Sequence, residues 1–227
     1  MNKLSTLLFV TFLSLFYCEN SIYGASLDCS KAISDQDKTI CKDPTLLKLN
    51  RQISEIFQKL DKNGEYYEEI VSSQKIWLSK IPNFVVHDFE RQRDFLKFIS
   101  LFSDCLRTNK EFRDCYDNTA KIELQKCMGT LTNYEMNRCM VSFTEALDIL
   151  ERVESEKLVE KLKVEDPESI PFFKKARESW LTYRSSECLL FYNLYRDGTI
   201  RSLMYTSCID EKTLTRLEWV FKGFMNN

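Results

Sequence analysis

The sequence predicts an all-α chain: two tandem, small, disulfide-stapled helical bundles, each an α-hairpin plus a third helix. Three observations carry this. Five glycines and four prolines in 227 residues are too few for the turns of a sandwich or barrel. Apolar residues recur at three- and four-residue spacing between polar breaks, the period of a helix with one buried face. The cysteines also repeat: CSKAISDQDKTIC (29–41) and CMGTLTNYEMNRC (127–139) share one spacing. A chain 44% hydrophobic and 29% charged has the balance of a globular protein rather than a disordered one. A net charge of −2 lacks the basic excess of a nucleic-acid binder, so no nucleic-acid partner is expected.

The elements follow in order. Lys3, the apolar run LLFVTFLSLFY (7–17) and the small residues Gly24, Ala25 and Ser26 have the layout of a secretion signal over residues 1–24. The run is too short to span a bilayer, and the bulky Tyr17 before Cys18 makes a poor lipoprotein site. The expected mature chain is therefore periplasmic or secreted, without a stable membrane anchor. Its eight remaining cysteines, Cys29, Cys41, Cys105, Cys115, Cys127, Cys139, Cys188 and Cys208, read as a disulfide framework. With no C-x-x-C and a single histidine, a metal site is not expected.

Ser34 before Asp37 and Thr132 before Glu135 are capping patterns, placing a helix start inside each cysteine loop. In the first half, Leu46, Leu49, Ile53, Ile56, Phe57 and Leu60 form an apolar stripe, and Gly64 is expected as a left-handed C-cap. The next helix carries Tyr67, Ile70, Val71 and Trp77. In the second half, Met136, Met140, Phe143, Leu147, Leu150, Leu158 and Leu162 form one long stripe, broken at EDPES (165–169). Pro171 suits the first turn of the following helix, which holds Phe172, Phe173, Ala176, Trp180, Tyr183, Leu190 and Tyr195. Gly198 marks a turn, and a third helix over about 203–221 brings Ile209, Leu217 and Val220. The domain division expected is 25–120 and 121–227.

Trp180, Arg184 and Cys188 stand at i, i+4, i+8, near one helix face. They read as core: Trp180 and Tyr183 packed on the preceding helix, Arg184 paired with Glu187 or an opposite acid, and Cys188 bridged. The only histidine, His87, sits in the aromatic stretch NFVVHDFE with no nucleophile–base pattern around it. No Gly-rich phosphate loop or nucleophile elbow occurs. The chain is therefore read as a non-enzyme, and no cofactor is expected.

WLTYRSSEC (180–188), GTI (198–200), YTSC (205–208) and then Thr213, Arg216 and Leu217 resemble the C-terminal part of the LprI-type lysozyme-inhibitor N-terminal domain. NYEMNRC (133–139) is similar to its start. The first half resembles a variant of the same domain, through ICKDPTLLKLN (40–50) and SQKIW (73–77). It departs from the pattern after Trp77: Ile81 stands where an arginine is usual, and about 81–102 reads as an aromatic insertion that packs on its own module or covers the neighbouring one. The resemblance implies a non-catalytic bacterial protein, secreted or periplasmic, that binds and inhibits lysozyme. Trp77, Trp180 and Arg184 match motif positions that look structural. The other reading is an envelope or secreted interaction module, or an effector, without lysozyme activity.

An inhibitor of a basic enzyme is expected to approach it with acids. The first hairpin tip carries Asp61, Glu65, Glu68 and Glu69 around Tyr66 and Tyr67, and the second carries Glu165, Asp166 and Glu168. Glu65, Tyr66, Glu68, Glu69, Glu165, Asp166 and Glu168 are the candidate partner contacts. For the disulfides, a turn near Asp166 favours Cys139–Cys208 with Cys127–Cys188, and Cys139–Cys188 with Cys127–Cys208 stays open. Cys29 and Cys41 are each expected to reach Cys105 or Cys115.

Overall fold

The structure, a computed structural model, describes residues 27–60, 62–64, 66–80, 86–108, 111–129 and 132–224. The expected leader, Glu65 and residues 81–85 lie outside the described residues, as do the side chains of Trp77 and Cys127. The described residues form helices joined by short turns, with no strand among them. After a short 3-10 turn at Cys29–Lys31, the helices are α1 (Asp35–Lys42), α2 (Pro44–Lys59), α3 (Tyr67–Lys80), α4 (Val86–Thr108), α5 (Phe112–Cys115), α6 (Lys121–Met128), α7 (Asn133–Glu165), α8 (Ile170–Leu194) and α9 (Arg201–Phe224). A π-helical turn, Tyr116–Ala120, joins α5 to α6.

The starts and stops follow local chemistry. Ser34 accepts from the Asp37 amide at the start of α1. Asp43 caps α2 by accepting from the amides of Thr45 and Leu46, with Pro44 in the first turn. Thr132 and Glu135 form a reciprocal capping box at the head of α7. Pro171 sits in the first turn of α8. Gly64 behaves differently from expectation. No described glycine has positive φ, and α2 ends instead on Leu60 in extended backbone, its amide bonding back to Ile56 and Phe57. Leu60 is buried, so α2 stops where that side chain is held inside rather than at a glycine cap.

The described residues divide into two compact units: those within 1–62 and 71–93, and those within 63–70 and 94–227. The second half of α4 belongs to the larger unit. In the smaller unit α1 packs on α2, whose Leu46, Leu49, Ile53 and Phe57 are buried. Gln74 and Gln92, also buried, hydrogen-bond to each other there.

In the larger unit α9 packs along both α7 and α8. Leu147, Leu150, Leu158, Leu217 and Val220 are buried in it. The aromatic stretch that reads as an insertion supplies core: Phe98 meets Phe143 edge-on at 5.0 Å, and Phe102 stacks on Phe112 at 5.8 Å. Phe112 in turn stacks on Phe221 of α9 at 5.4 Å. Burial of such rings contributes about 1.5–3 kcal/mol each, which explains why this part of α4 belongs with the larger unit.

The expected cysteine pairing is overturned. The bridges are Cys29–Cys41, Cys105–Cys115 and Cys188–Cys208, and Cys139 is also disulfide-bonded. Each of the three bridges is local. Cys188 lies six residues before the end of α8 and Cys208 seven residues into α9. The two are level across one antiparallel turn, with Cα atoms 5.5 Å apart. Cys105 is near the end of α4 and Cys115 at the end of the next short helix.

Candidate functional site: the α7–α8 hairpin

The long helices α7 and α8 form a hairpin with its tip at residues 164–169. A 3-10 turn, Pro167–Ser169, reverses the chain. Asp166 caps α7, its amide bonding to the Leu162 carbonyl, and its carboxylate accepts from the Ser169 hydroxyl at 2.6 Å. Glu165, Asp166 and Glu168 are all exposed. Beside them Val164 is 86% exposed. Behind the tip, α7 and α8 border an open groove of about 420 Å³, with Val159 and Phe173 among its lining and Glu156, Glu160, Lys163, Lys174 and Glu178 charged around it.

The first tip differs. Tyr66, expected as a partner contact, is buried. Its hydroxyl donates to Glu154 on α7, and Lys157 lies 4.8 Å from its ring centroid. This correction has a simple cause: a tyrosine can bury its ring while its hydroxyl is satisfied by a carboxylate. Glu69 is paired with Arg152 at 2.5 Å, and Glu68 remains exposed. The sequence-predicted acids thus separate into a second-half set displayed together and a first-half set partly drawn into the fold.

What holds the second hairpin is a ladder of ionic groups between helices. Arg177 of α8 donates two-pronged to Glu151 of α7, from Nε at 3.0 Å and Nη2 at 2.6 Å, and Ser155 donates to the same carboxylate at 2.8 Å. Glu151 is only 2% exposed. Further from the tip, Arg184 donates to Asp148 at 2.5 Å and to Thr213 of α9 at 2.7 Å. The opposite acid is therefore Asp148, while Glu187 pairs with Lys212 at 2.9 Å. Two guanidinium groups approach the Trp180 ring, Arg184 at 4.9 Å and Arg216 at 5.6 Å from its centroid. Desolvation lowers the pKa of Arg216, with Glu151 opposing that shift. Tyr183 stays out of the core: it is 54% exposed, with the Lys212 ammonium 5.1 Å from its ring centroid.

Asp210 of α9 is the group that sequence reasoning missed. It is 4% exposed, with the Thr144 hydroxyl 2.6 Å from Oδ1, and Oδ2 has no hydrogen-bond partner. Burial pushes its pKa up to about 8; Asp148 adds to the rise, while the Thr144 hydrogen bond and Arg184 oppose it. Its neighbours in IDEKT (209–213) are mostly polar, so helical periodicity alone gave no sign that this acid faces inward.

His87 is at the surface, with Nδ1 3.3 Å from Glu90. No cluster of metal-ligating side chains occurs among the described residues. No helix among them is long and apolar enough to cross a membrane.

Residues 115–219 match the family model described as lysozyme inhibitor LprI. Neither the curated proteins nor the solved structures contain a match to the chain. The matched span takes in the end of α5 through most of α9, with the whole α7–α8 hairpin and its tip inside it. The larger helical unit of this chain therefore carries an LprI-type domain.

Proposed function

We propose that this is an extracytoplasmic, non-catalytic bacterial protein that binds lysozyme and inhibits it, with the α7–α8 tip as the contact. One observation carries the choice of tip. Glu165, Asp166 and Glu168 are displayed together on a turn of the matched domain, whereas Tyr66 and Glu69 of the other tip are engaged with Glu154 and Arg152. Exposed acids on a braced hairpin present a negative prong whose field steers a basic enzyme into contact. The leader-like residues 1–24 and the disulfides are in keeping with export. We read the first half as a divergent copy of the same domain. It repeats the 12-residue cysteine spacing and the hydroxyl cap inside the cysteine loop, and it serves as scaffold.

The test is a cell-wall lysis assay with oxidised protein, lysozymes of several classes, and a Glu165→Lys/Asp166→Lys/Glu168→Lys variant. Inhibition is expected from the parent chain. Weaker binding with a flatter salt dependence is expected from the variant. Lysis unaffected by the parent chain refutes the function, and equal affinity for parent and variant refutes the assignment of the tip. Release of peptidoglycan fragments by the protein alone would show it to be an enzyme instead.

A further inference from the structure

The break between α2 and α3 holds the dipeptide Asn63–Gly64. Backbone conformation does not require a glycine there, since no described glycine has positive φ and α2 is already closed on Leu60. The pair has a chemical property instead. The main-chain nitrogen after an asparagine can attack the side-chain carboxamide and close a five-membered ring. Two things ordinarily prevent this: a side chain on the following residue that obstructs the approach, and a hydrogen bond that holds the following N–H. Gly64 has no side chain. Its N–H donates to no group among the described residues, while its carbonyl accepts from the Tyr67 amide at 3.0 Å. Asn63 is exposed, so water reaches the site.

The other described asparagines lack these conditions. Asn50, Asn137 and Asn193 stand inside α2, α7 and α8, where main-chain N–H groups bond along the helix. Asn133 is followed by the bulky Tyr134, and Asn118 by the β-branched Thr119 within the π-helical turn. The sharpest contrast is Asp197–Gly198, between α8 and α9. Asp197 is exposed and also precedes a glycine, but the Gly198 N–H donates to the Tyr195 carbonyl at 2.9 Å. One glycine amide is held and the other is not.

We propose that Asn63 is a site of spontaneous covalent modification, where the chain converts itself through a succinimide to aspartate and isoaspartate. The Gly64 nitrogen gives up its proton to water and bonds to Cγ of Asn63. The Cγ–Nδ2 bond breaks, and ammonia leaves with a proton taken from water. Water then opens the ring. Attack at Cγ gives aspartate. Attack at the main-chain carbonyl carbon gives isoaspartate, in which the chain runs through the side-chain methylene. Either product sets a new carboxylate on the turn that leads to Glu68 and Glu69 of α3. Isoaspartate also lengthens the main chain just before Tyr66, whose buried ring and bond to Glu154 fix the next stretch. The inference does not depend on the lysozyme reading, and its test contains no lysozyme.

The experiment follows the oxidised, full mature chain during storage in mildly alkaline buffer. Ion exchange separates the more acidic form, and peptide mapping distinguishes aspartate from isoaspartate. The acidic form is expected to accumulate in the parent chain. Isoaspartate at position 63 should form at least about tenfold faster than at any other asparagine, a barrier difference of about 1.4 kcal/mol. Asn63→Ala is expected to abolish that form and Gly64→Ala to slow it about tenfold, both with unchanged helical circular dichroism. Repeating the storage in urea reads the effect of the held amide. Unfolding should speed isoaspartate formation at Asp197 and leave the rate at Asn63 within about tenfold. A parent chain that gains no acidic form overturns the inference. So does an acidic form as abundant in Asn63→Ala as in the parent, or a rate at Asn63 that rises more than about tenfold on unfolding.

Discussion

Replacing Arg177 by methionine tests whether the ladder between α7 and α8 braces the hairpin. Arg177 reaches Glu151 with two nitrogens, at 3.0 and 2.6 Å, and Glu151 is 2% exposed. Removing one partner of a buried pair typically costs about 3–5 kcal/mol, because the remaining charge stays desolvated. Two features reduce that here: the Arg177 side chain is 26% exposed, and Ser155 still donates to the carboxylate. The expected loss is about 2–4 kcal/mol. At roughly 2–4 °C per kcal/mol for a chain of this size, Tm should fall by about 4–16 °C. The double variant Glu151→Met/Arg177→Met removes both charges and should recover most of the loss. Urea unfolding of the parent, both single variants and the double variant closes the cycle. An Arg177→Met protein within about 1 kcal/mol of the parent, or a double variant no more stable than the single, would refute the reasoning.

Three further outcomes are expected. The carboxyl of Asp210, raised to about 8 by burial, holds a proton in the folded chain that the unfolded chain releases near pH 4. Its contribution is therefore fully present below about pH 4, is lost as pH rises toward 8 at up to about 1.4 kcal/mol per unit, and is flat above. Urea midpoints from pH 5 to 8 should show a shallower decline in Asp210→Asn than in the parent; parallel curves would count against a buried, protonated acid. Thr132→Ala removes the capping box of α7 and should cost about 1 kcal/mol, read as faster amide exchange at Glu135 with the rest of α7 unaffected. Replacing Cys188 and Cys208 by serine opens a loop of 20 residues and should cost about 3 kcal/mol, read as a lower urea midpoint with the helical signal retained at low urea.

Much of the fold was legible because helix signals are local. Thr132 and Glu135 mark the start of α7 by themselves, and Pro171 marks the start of α8. The candidate acids of the second tip were legible too, since a Pro-containing break between two long apolar stripes places them on a turn. The cysteine pairing was not. It was argued from which ends of the long hairpin lie level, and the decisive registers were shorter-range: Cys188 and Cys208 on either side of the α8–α9 turn, and Cys105 and Cys115 across a few residues. Tyr66 was misplaced for a related reason, since an amphipathic ring between acids reads as surface until Glu154 is brought to its hydroxyl.

Alone, the sequence determined an all-helical chain, the ends of its principal helices, and an LprI-like second half. Those properties depend on capping side chains and on a 3.6-residue period, which act within a few turns. Only the tertiary structure decided which cysteines meet, that Asp210 lies buried beside Thr144, and that the apolar residues of α8 divide into an inner set and an exposed set. A helical period says that a face is apolar; which face is covered depends on the helices that arrive from elsewhere in the chain.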